Sequence, residues 1–221
     1  HPPSTGFAAR AGSSCTVPPK TDRWLVFWVS RGRYSLAMAR RGSYAKGIAK
    51  REEILTVALD LVASQGFRRT SIKDIADAVG LTQAGLLHYF DSKDELWVEI
   101  LRRRDELDLA HDWQAADPAA LLAAIVRHNA EVPGLVQMFV NLSAAAATDA
   151  EHPAHEYFRE RYERSRRVLS ADFRTMQQDG RLRTDIDPDE LTSVLLAVSD
   201  GMQIQWLYDP TRDMAEHVEL V

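Results

Sequence analysis

The sequence predicts an all-α chain: an N-terminal three-helix domain containing a helix-turn-helix, followed by a helical bundle. Three observations carry this. Apolar residues recur at three- and four-residue spacing nearly throughout from residue 46. Glycine, proline and capping residues punctuate the runs at helix-like intervals. No run of alternating β-branched residues occurs, so no sheet is expected.

The elements follow in order. Ile54, Leu55, Ala58, Leu61 and Val62 form the first apolar stripe, which Gly66 stops. Ile72, Ile75, Ala76 and Val79 form a second, short stripe over about 72–79, broken by Gly80-Leu81. Thr82 can cap a third helix over about 83–89 that carries Leu86, Leu87 and Phe90. Ser92 and Glu95 have the spacing of a capping box and open a fourth helix with Leu96, Trp97, Ile100 and Leu101. Pro118 to Val132 is rich in Ala and Leu, and Pro133 begins a helix reaching about Ala147. Pro153 starts a long helix that Gly180 ends. Asp187-Pro188-Asp189-Glu190 starts another, with proline at the first helical position and acids favouring the dipole, running to about Tyr208. After Pro210 one short helix remains.

Residues 1–37 differ. They hold His1-Pro2-Pro3, Gly12-Ser13-Ser14 and Pro18-Pro19 and lack helical periodicity. The expected division is 1–37 as a disordered leader or non-native upstream sequence with Met38 as the natural start, 38–92 as one domain and 93–221 as the next. The apolar stretch from Trp24 to Val29 is too short for a membrane helix and lacks a following small-residue cleavage site, so neither an anchor nor a signal peptide is expected. The chain has one cysteine, Cys15, which excludes an intrachain disulfide and a cysteine metal cluster. The expected location is the cytoplasm.

Charge is unevenly spread. The net charge of -5 over 221 residues combines a basic front with an acidic back, since residues 105–221 hold 22 of the 32 acids but 10 of the 27 Lys and Arg. A polyanionic partner would meet the front. There the helix-turn-helix has the features needed to read a duplex. Ile75, Ala76, Val79 and Leu86 can pack its two helices together, while Gln83, Ala84, Gly85 and His88 leave the second helix polar or small on its outer side. Ala84 and Gly85 allow close backbone approach. Gln83 can pair with a base edge, adenine above all. Thr70, Ser71, Thr82, Tyr89 and Lys93 suit phosphate contacts, several of them flanking helix N-termini. Arg40, Arg41, Lys46 and Lys50 form either an arm over the backbone or minor groove, or a solvated basic tail.

Residues 46–101 hold Ala49-Lys50-Arg51-Glu52-Glu53-Ile54-Leu55, Gly66-Phe67, Thr70-Ser71-Ile72-Lys73-Asp74-Ile75-Ala76, Val79-Gly80-Leu81 and Leu86-Leu87-His88-Tyr89-Phe90-Asp91-Ser92-Lys93-Asp94-Glu95-Leu96. With these motifs the segment resembles the TetR/AcrR family of one-component transcriptional regulators. It implies a DNA-binding domain, a helical ligand-binding and dimerisation domain, and repression relieved by a small molecule. By motif position it places Thr70, Thr82, Gln83, Ala84, His88, Tyr89 and Lys93 at DNA contacts. The chain departs from the family pattern at Leu87, where tyrosine is common. Leu87 either packs inward or touches a thymine methyl, so the operator sequence does not transfer.

In the back half, Phe158, Tyr162, Leu169, Phe173 and Met176 recur along the helix at about 153–179. Leu191, Val194, Leu195, Val198 and Met202 line one face of the helix at about 188–208, with Leu196, Ala197, Ile204 and Leu207 extending it. A helix apolar nearly all round is buried on two sides, so these two helices are expected to form a homodimer interface that presents two recognition helices to a palindromic operator. The candidate effector pocket comprises Trp113, His128, Met138, Phe139, Asn141, Phe158, Tyr162, Met202 and Trp206, and this set points to an apolar or aromatic effector.

No enzyme is expected. His152 and His155 lack the zinc-protease order, Asp185, Asp187 and Asp189 lack the calcium-loop glycine and distal glutamate, and neither Gly-x-Ser-x-Gly nor a glycine-rich phosphate loop occurs. No cofactor or metal is called.

Overall fold

The computed structural model describes residues 41–111, 113 and 115–221. The leader assigned to residues 1–37, the start assigned to Met38, and Arg40 lie outside the described residues. Among the described residues there are nine α-helices, one 3-10 turn and no strand: α1 (Arg41–Gln65), the turn (Phe67–Arg69), α2 (Ile72–Ala78), α3 (Gln83–Leu87), α4 (Lys93–Ala110), α5 (Pro118–Ala130), α6 (Pro133–Thr148), α7 (Ala154–Gln178), α8 (Pro188–Tyr208) and α9 (Met214–Glu219). No helix is long and apolar enough to cross a membrane, among the described residues.

Side chains set most helix starts. Asp117, Asp187 and Asp213 each accept from backbone N–H groups of the first turn, and proline occupies the first turn of α5, α6 and α8. The sequence reading of Ser92 is half right. Ser92 accepts from Glu95 N–H at 2.9 Å, but the Glu95 carboxylate takes the N–H of Asp91 and faces Arg51. The full capping box is at α2, where Ser71 accepts from Asp74 N–H and the Asp74 carboxylate accepts the Ser71 N–H at 2.9 Å.

Two hydrophobic cores form. One joins α1–α4 to α6 and the start of α7 through Ile54, Val62, Ile75, Leu86, Leu96 and Met138. The other joins α5, α8, α9 and the end of α7 through Val126, Phe173, Leu195, Met202 and Val218. The first core ties the helix-turn-helix directly to the following bundle. Gly134, near the start of α6, lies against the main chain of Val62, Gly66 and Phe67, so α6 seats the end of α1.

Candidate nucleic-acid interface and interior cavity

The helix-turn-helix is built by backbone chemistry that its sequence demands. Val79 ends α2, and Gly80 takes φ 69°. Gly80 N–H then donates to Asp77 C=O at 3.2 Å, and Leu81 N–H donates to Ala76 C=O at 2.8 Å. This paired closure needs a left-handed residue, which glycine adopts without a Cβ penalty. Lys50 of α1 adds a third tie by donating to Val79 C=O at 2.8 Å while pairing with Glu53. Lys50 is thus a fastener of the turn rather than part of an arm, whereas Lys46 is exposed.

The packing residues are where periodicity puts them: Ile75, Ala76, Val79 and Leu86 are all buried. Consequently α3 turns Thr82, Gln83, Ala84 and His88 outward, with Lys93 exposed at the start of α4. Gly85 is half-buried, and a Cβ there would meet Thr82 Oγ1 at 3.2 Å. Thr82 Oγ1 accepts from Gly85 N–H at 3.0 Å, which leaves the hydroxyl proton for an outside acceptor. Leu87 and Tyr89 are half-buried against the first core, so Leu87 takes the inward role.

Two expected phosphate contacts sit differently. Thr70 is only 6% exposed, and its hydroxyl donates to Gly66 C=O at 2.9 Å. It holds the turn after α1 and has no hydroxyl proton left for phosphate. Ser71 is exposed, but its hydroxyl donates to the Asp74 carboxylate at 2.6 Å, so its proton is taken and a negative charge stands beside it. The sequence reading missed Arg68 and Arg69. Both are exposed in the 3-10 turn beside α2, with no ion pair among the described residues. Consecutive basic residues just before a helix-turn-helix were the available signal. Arg51 was also missed. It reaches Glu99 at 3.1 Å and Glu95 at 3.4 Å, lies 4.6 Å over the Phe90 ring, and so fixes the exit from α3 onto α4.

The nine expected pocket residues do not converge on one cavity. Met138, Phe139, Phe158 and Tyr162 belong to the first core, and Met202 and Trp206 to the second. Asn141 is exposed and donates to Gln137 C=O at 2.7 Å. His128 is half exposed beside Glu131, and Trp113 packs at a tilt against His111 while its indole N–H donates to Asp108 C=O at 2.6 Å. Trp206 lines a groove of about 270 Å³ with Arg127 and Arg212.

Beside the second core, the interior holds a polar cavity. A cavity of about 40 Å³ is bounded by Arg104 of α4, Asn129 of α5, Arg161 of α7, and Asp200 and Gln203 of α8, with Leu196 among the apolar members. Behind it, the Asp105 carboxylate accepts from Arg104 Nη2 at 2.9 Å, Arg161 Nε at 2.9 Å and the Tyr157 hydroxyl at 2.5 Å. Burial opposes the charge on Asp105, yet Arg161 and Arg104 hold its carboxyl below the usual range. Burial raises the Asp200 carboxyl, and Tyr162 and Arg161 offset this only in part. The Tyr162 hydroxyl, bonded to Asp200 at 2.5 Å, is pushed up to about 12 by burial and that carboxylate.

These shifts give a signed pH prediction. A carboxyl raised by burial contributes most to stability below its unfolded value of about 3.9 and loses that contribution as pH rises through its folded value. Asp200→Asn keeps an acceptor for Tyr162 without the buried charge. It is expected to raise Tm by ~2–4 °C at pH 8, the response of a chain this size to about 1 kcal/mol. The gain should shrink toward pH 4, and thermal melts across pH 4–8 measure it. An equal gain at both ends would remove the assigned cause.

The comparisons agree with this architecture. The model for "Bacterial regulatory proteins, tetR family" matches residues 54–100, and the model for "BetI-type transcriptional repressor, C-terminal" matches residues 116–221. Together they cover more than two thirds of the chain. The HTH-type transcriptional repressor KstR2 of Rhodococcus jostii is 47% identical over 53 residues, 24% of this chain and 26% of that protein. KstR2 of Mycobacterium tuberculosis is 28% identical over 158 residues, 64% of this chain and 73% of that protein. Among solved structures, a regulator from Saccharomonospora viridis in complex with choline matches at TM-score 0.60 and 27% identity, covering 78% of this chain and 93% of that one. A TetR transcription regulator from Haloarcula marismortui matches in fold at TM-score 0.64 and 24% identity, covering 78% and 94%. Three helices closed on a buried core, an outward α3 and two matched segments in the family's order give one conclusion: the chain belongs to the TetR family of transcriptional regulators.

Proposed function

We propose that the chain is a homodimeric repressor that binds a palindromic operator and is released by a small molecule, with residues 38–92 reading DNA and residues 93–221 holding the effector and dimer surfaces. The outward set on α3 carries the reading, because Gln83 and His88 stand clear of a core that fixes the helix beneath them. Gln83 reads a base edge. Lys93 and the Thr82 hydroxyl neutralise and bind phosphates, and Arg68 and Arg69 extend that contact. The repressor relatives support the sign of regulation.

The dimer surface is α8, supported by α7. Val194, Ala197, Gly201, Ile204 and Tyr208 recur at alternating three- and four-residue spacing. Val194, Ala197, Ile204 and Tyr208 are exposed, and a Cβ on Gly201 would meet open space. This is a seam suited to a second copy, with small residues that let two helices approach closely. The outer side of α7 is charged through Glu156, Arg159, Glu163 and Arg174 and forms the polar margin. Ala197→Glu should convert a dimer to a monomer in sedimentation velocity, and an unchanged dimer would move the interface elsewhere.

Gln83→Ala is expected to relax preference at one base position per half-site by about 1–3 kcal/mol. Lys93→Ala should weaken binding uniformly across sequences and reduce the salt slope by about 1. Fluorescence anisotropy on matched and altered duplexes between 50 and 200 mM salt reads both. If neither substitution changes binding, α3 is not the reading helix.

A further inference from the structure

The interior cavity has two polar groups that the fold leaves unpaired. Arg104 is 4% exposed, and its Nη2 is held by Asp105. Its Nη1 has no hydrogen-bond partner among the described residues, and its Nε, 3.5 Å from Asp108, lacks hydrogen-bond geometry. Asn129 is 3% exposed, and its Oδ1 is likewise without a partner. Both residues line the same cavity, on α4 and α5. Each buried unpaired group costs stability, because its hydration is lost and not replaced. An apolar side chain in place of Asn129 would remove that cost there, so the pair reads as a site kept for a ligand.

The chemistry of that ligand follows from what is unsatisfied and from charge. Arg104 asks for an acceptor, and Asn129 Oδ1 asks for a donor. Around the cavity, the carboxylates of Asp105, Asp108 and Asp200 already outnumber the guanidinium groups of Arg104 and Arg161. A carboxylate ligand would add to that excess. A simple cation would face Arg104 and leave its donor unpaired. An uncharged group with a carbonyl oxygen beside an N–H satisfies both and adds no charge.

We propose that this cavity binds an uncharged amide-type effector, whose C=O accepts from Arg104 Nη1 and whose N–H donates to Asn129 Oδ1. Its aliphatic part lies against Leu122, Ile125 and Leu196. A cavity of about 40 Å³ has room for little more than water. The ligand therefore displaces water and parts α4 from α5 and α8. Because α4 begins at Lys93 under its own cap Ser92, one short connection after the reading helix ends at Leu87, that parting changes how α3 is held. The proposal rests on the effector-released reading above.

Saturation-transfer NMR on the full chain tests it, with acetamide, acetate, tetramethylammonium and toluene as separate probes. Acetamide should receive saturation at least five-fold above the other three. Asn129→Leu should abolish that signal while circular dichroism stays unchanged, and Arg104→Met should do the same. If Arg104→Met does not fold, Asn129→Leu decides. Acetate, tetramethylammonium or toluene binding as well as acetamide, an undiminished signal in Asn129→Leu, or no signal at all would each overturn the proposal. Operator binding by the probe-free chain reads the repressor assignment separately. Lost acetamide binding with intact operator binding sinks only the ligand class; acetamide binding without operator binding sinks only the repressor.

Discussion

Asp105→Ala is expected to lower the stability of the chain by about 3–5 kcal/mol, the cost of removing one partner from a buried ion-pair network. For a chain this size that corresponds to a Tm lower by ~6–20 °C. The reason is geometric. One carboxylate receives Arg161 and Tyr157 from α7 and its own neighbour Arg104 on α4, and its loss takes the shared acceptor from the two guanidinium groups that line the cavity. Asp105 also marks the acid limb of stability. Its folded carboxyl lies below the ordinary value, so its contribution is present above about pH 3.9 and fades as pH falls through the folded value. Thermal melts of Asp105→Ala should therefore differ from those of the parent at pH 7 and converge at the most acid pH. A loss under ~1 kcal/mol at pH 7 would show that Arg104 and Arg161 find other partners.

Gly134→Ala is expected to be the second most damaging change, despite adding a single methyl group. A Cβ at this position would overlap the carbonyl oxygen of Val62 and lie 3.0 Å from Gly66 Cα and 3.1 Å from Phe67 N. All three are main-chain atoms, so no side chain can swing aside, and α6 must withdraw from the end of α1. Overpacking of this kind costs about 1–3 kcal/mol, or a Tm lower by ~2–12 °C. This contact also seats the reading head on the bundle, so operator affinity should fall at temperatures where the variant is still folded. Circular dichroism and anisotropy separate the two effects. A variant that melts and binds like the parent would show that α6 does not set the position of α1.

The reading head was legible because its determinants are local. The Gly80 turn, the small Ala76 at the helix crossing, the Thr82 cap and the buried Leu86 all declare themselves within about twenty residues. Thr70 and Ser71 show where local reasoning stops. A hydroxyl near a helix start suits phosphate equally well as it suits its own backbone, and here Gly66 C=O and Asp74 take the protons.

The interior was less legible. Aromatic and methionine residues suggested a pocket, but Met138 and Met202 belong to different cores because helix order in space is not written in periodicity. The polar residues that line the cavity were visible in principle. Arg104 continues the inward register of Trp97, Ile100 and Leu101, and Arg161 sits between Tyr157 and Ser165 on the inward side of α7. A charged residue at a core register was the signal, and a search for apolar stripes alone passes over it.

The most direct measurement is selection of bound duplexes from a random DNA pool by the chain, at two salt concentrations. A dimeric reader should recover a palindrome whose half-sites are about one helical turn apart or a multiple of it, with binding that weakens steeply but retains its sequence preference as salt rises. Recovery of no motif, with weak binding that salt abolishes, would contradict the repressor assignment and leave a helical small-molecule-binding protein.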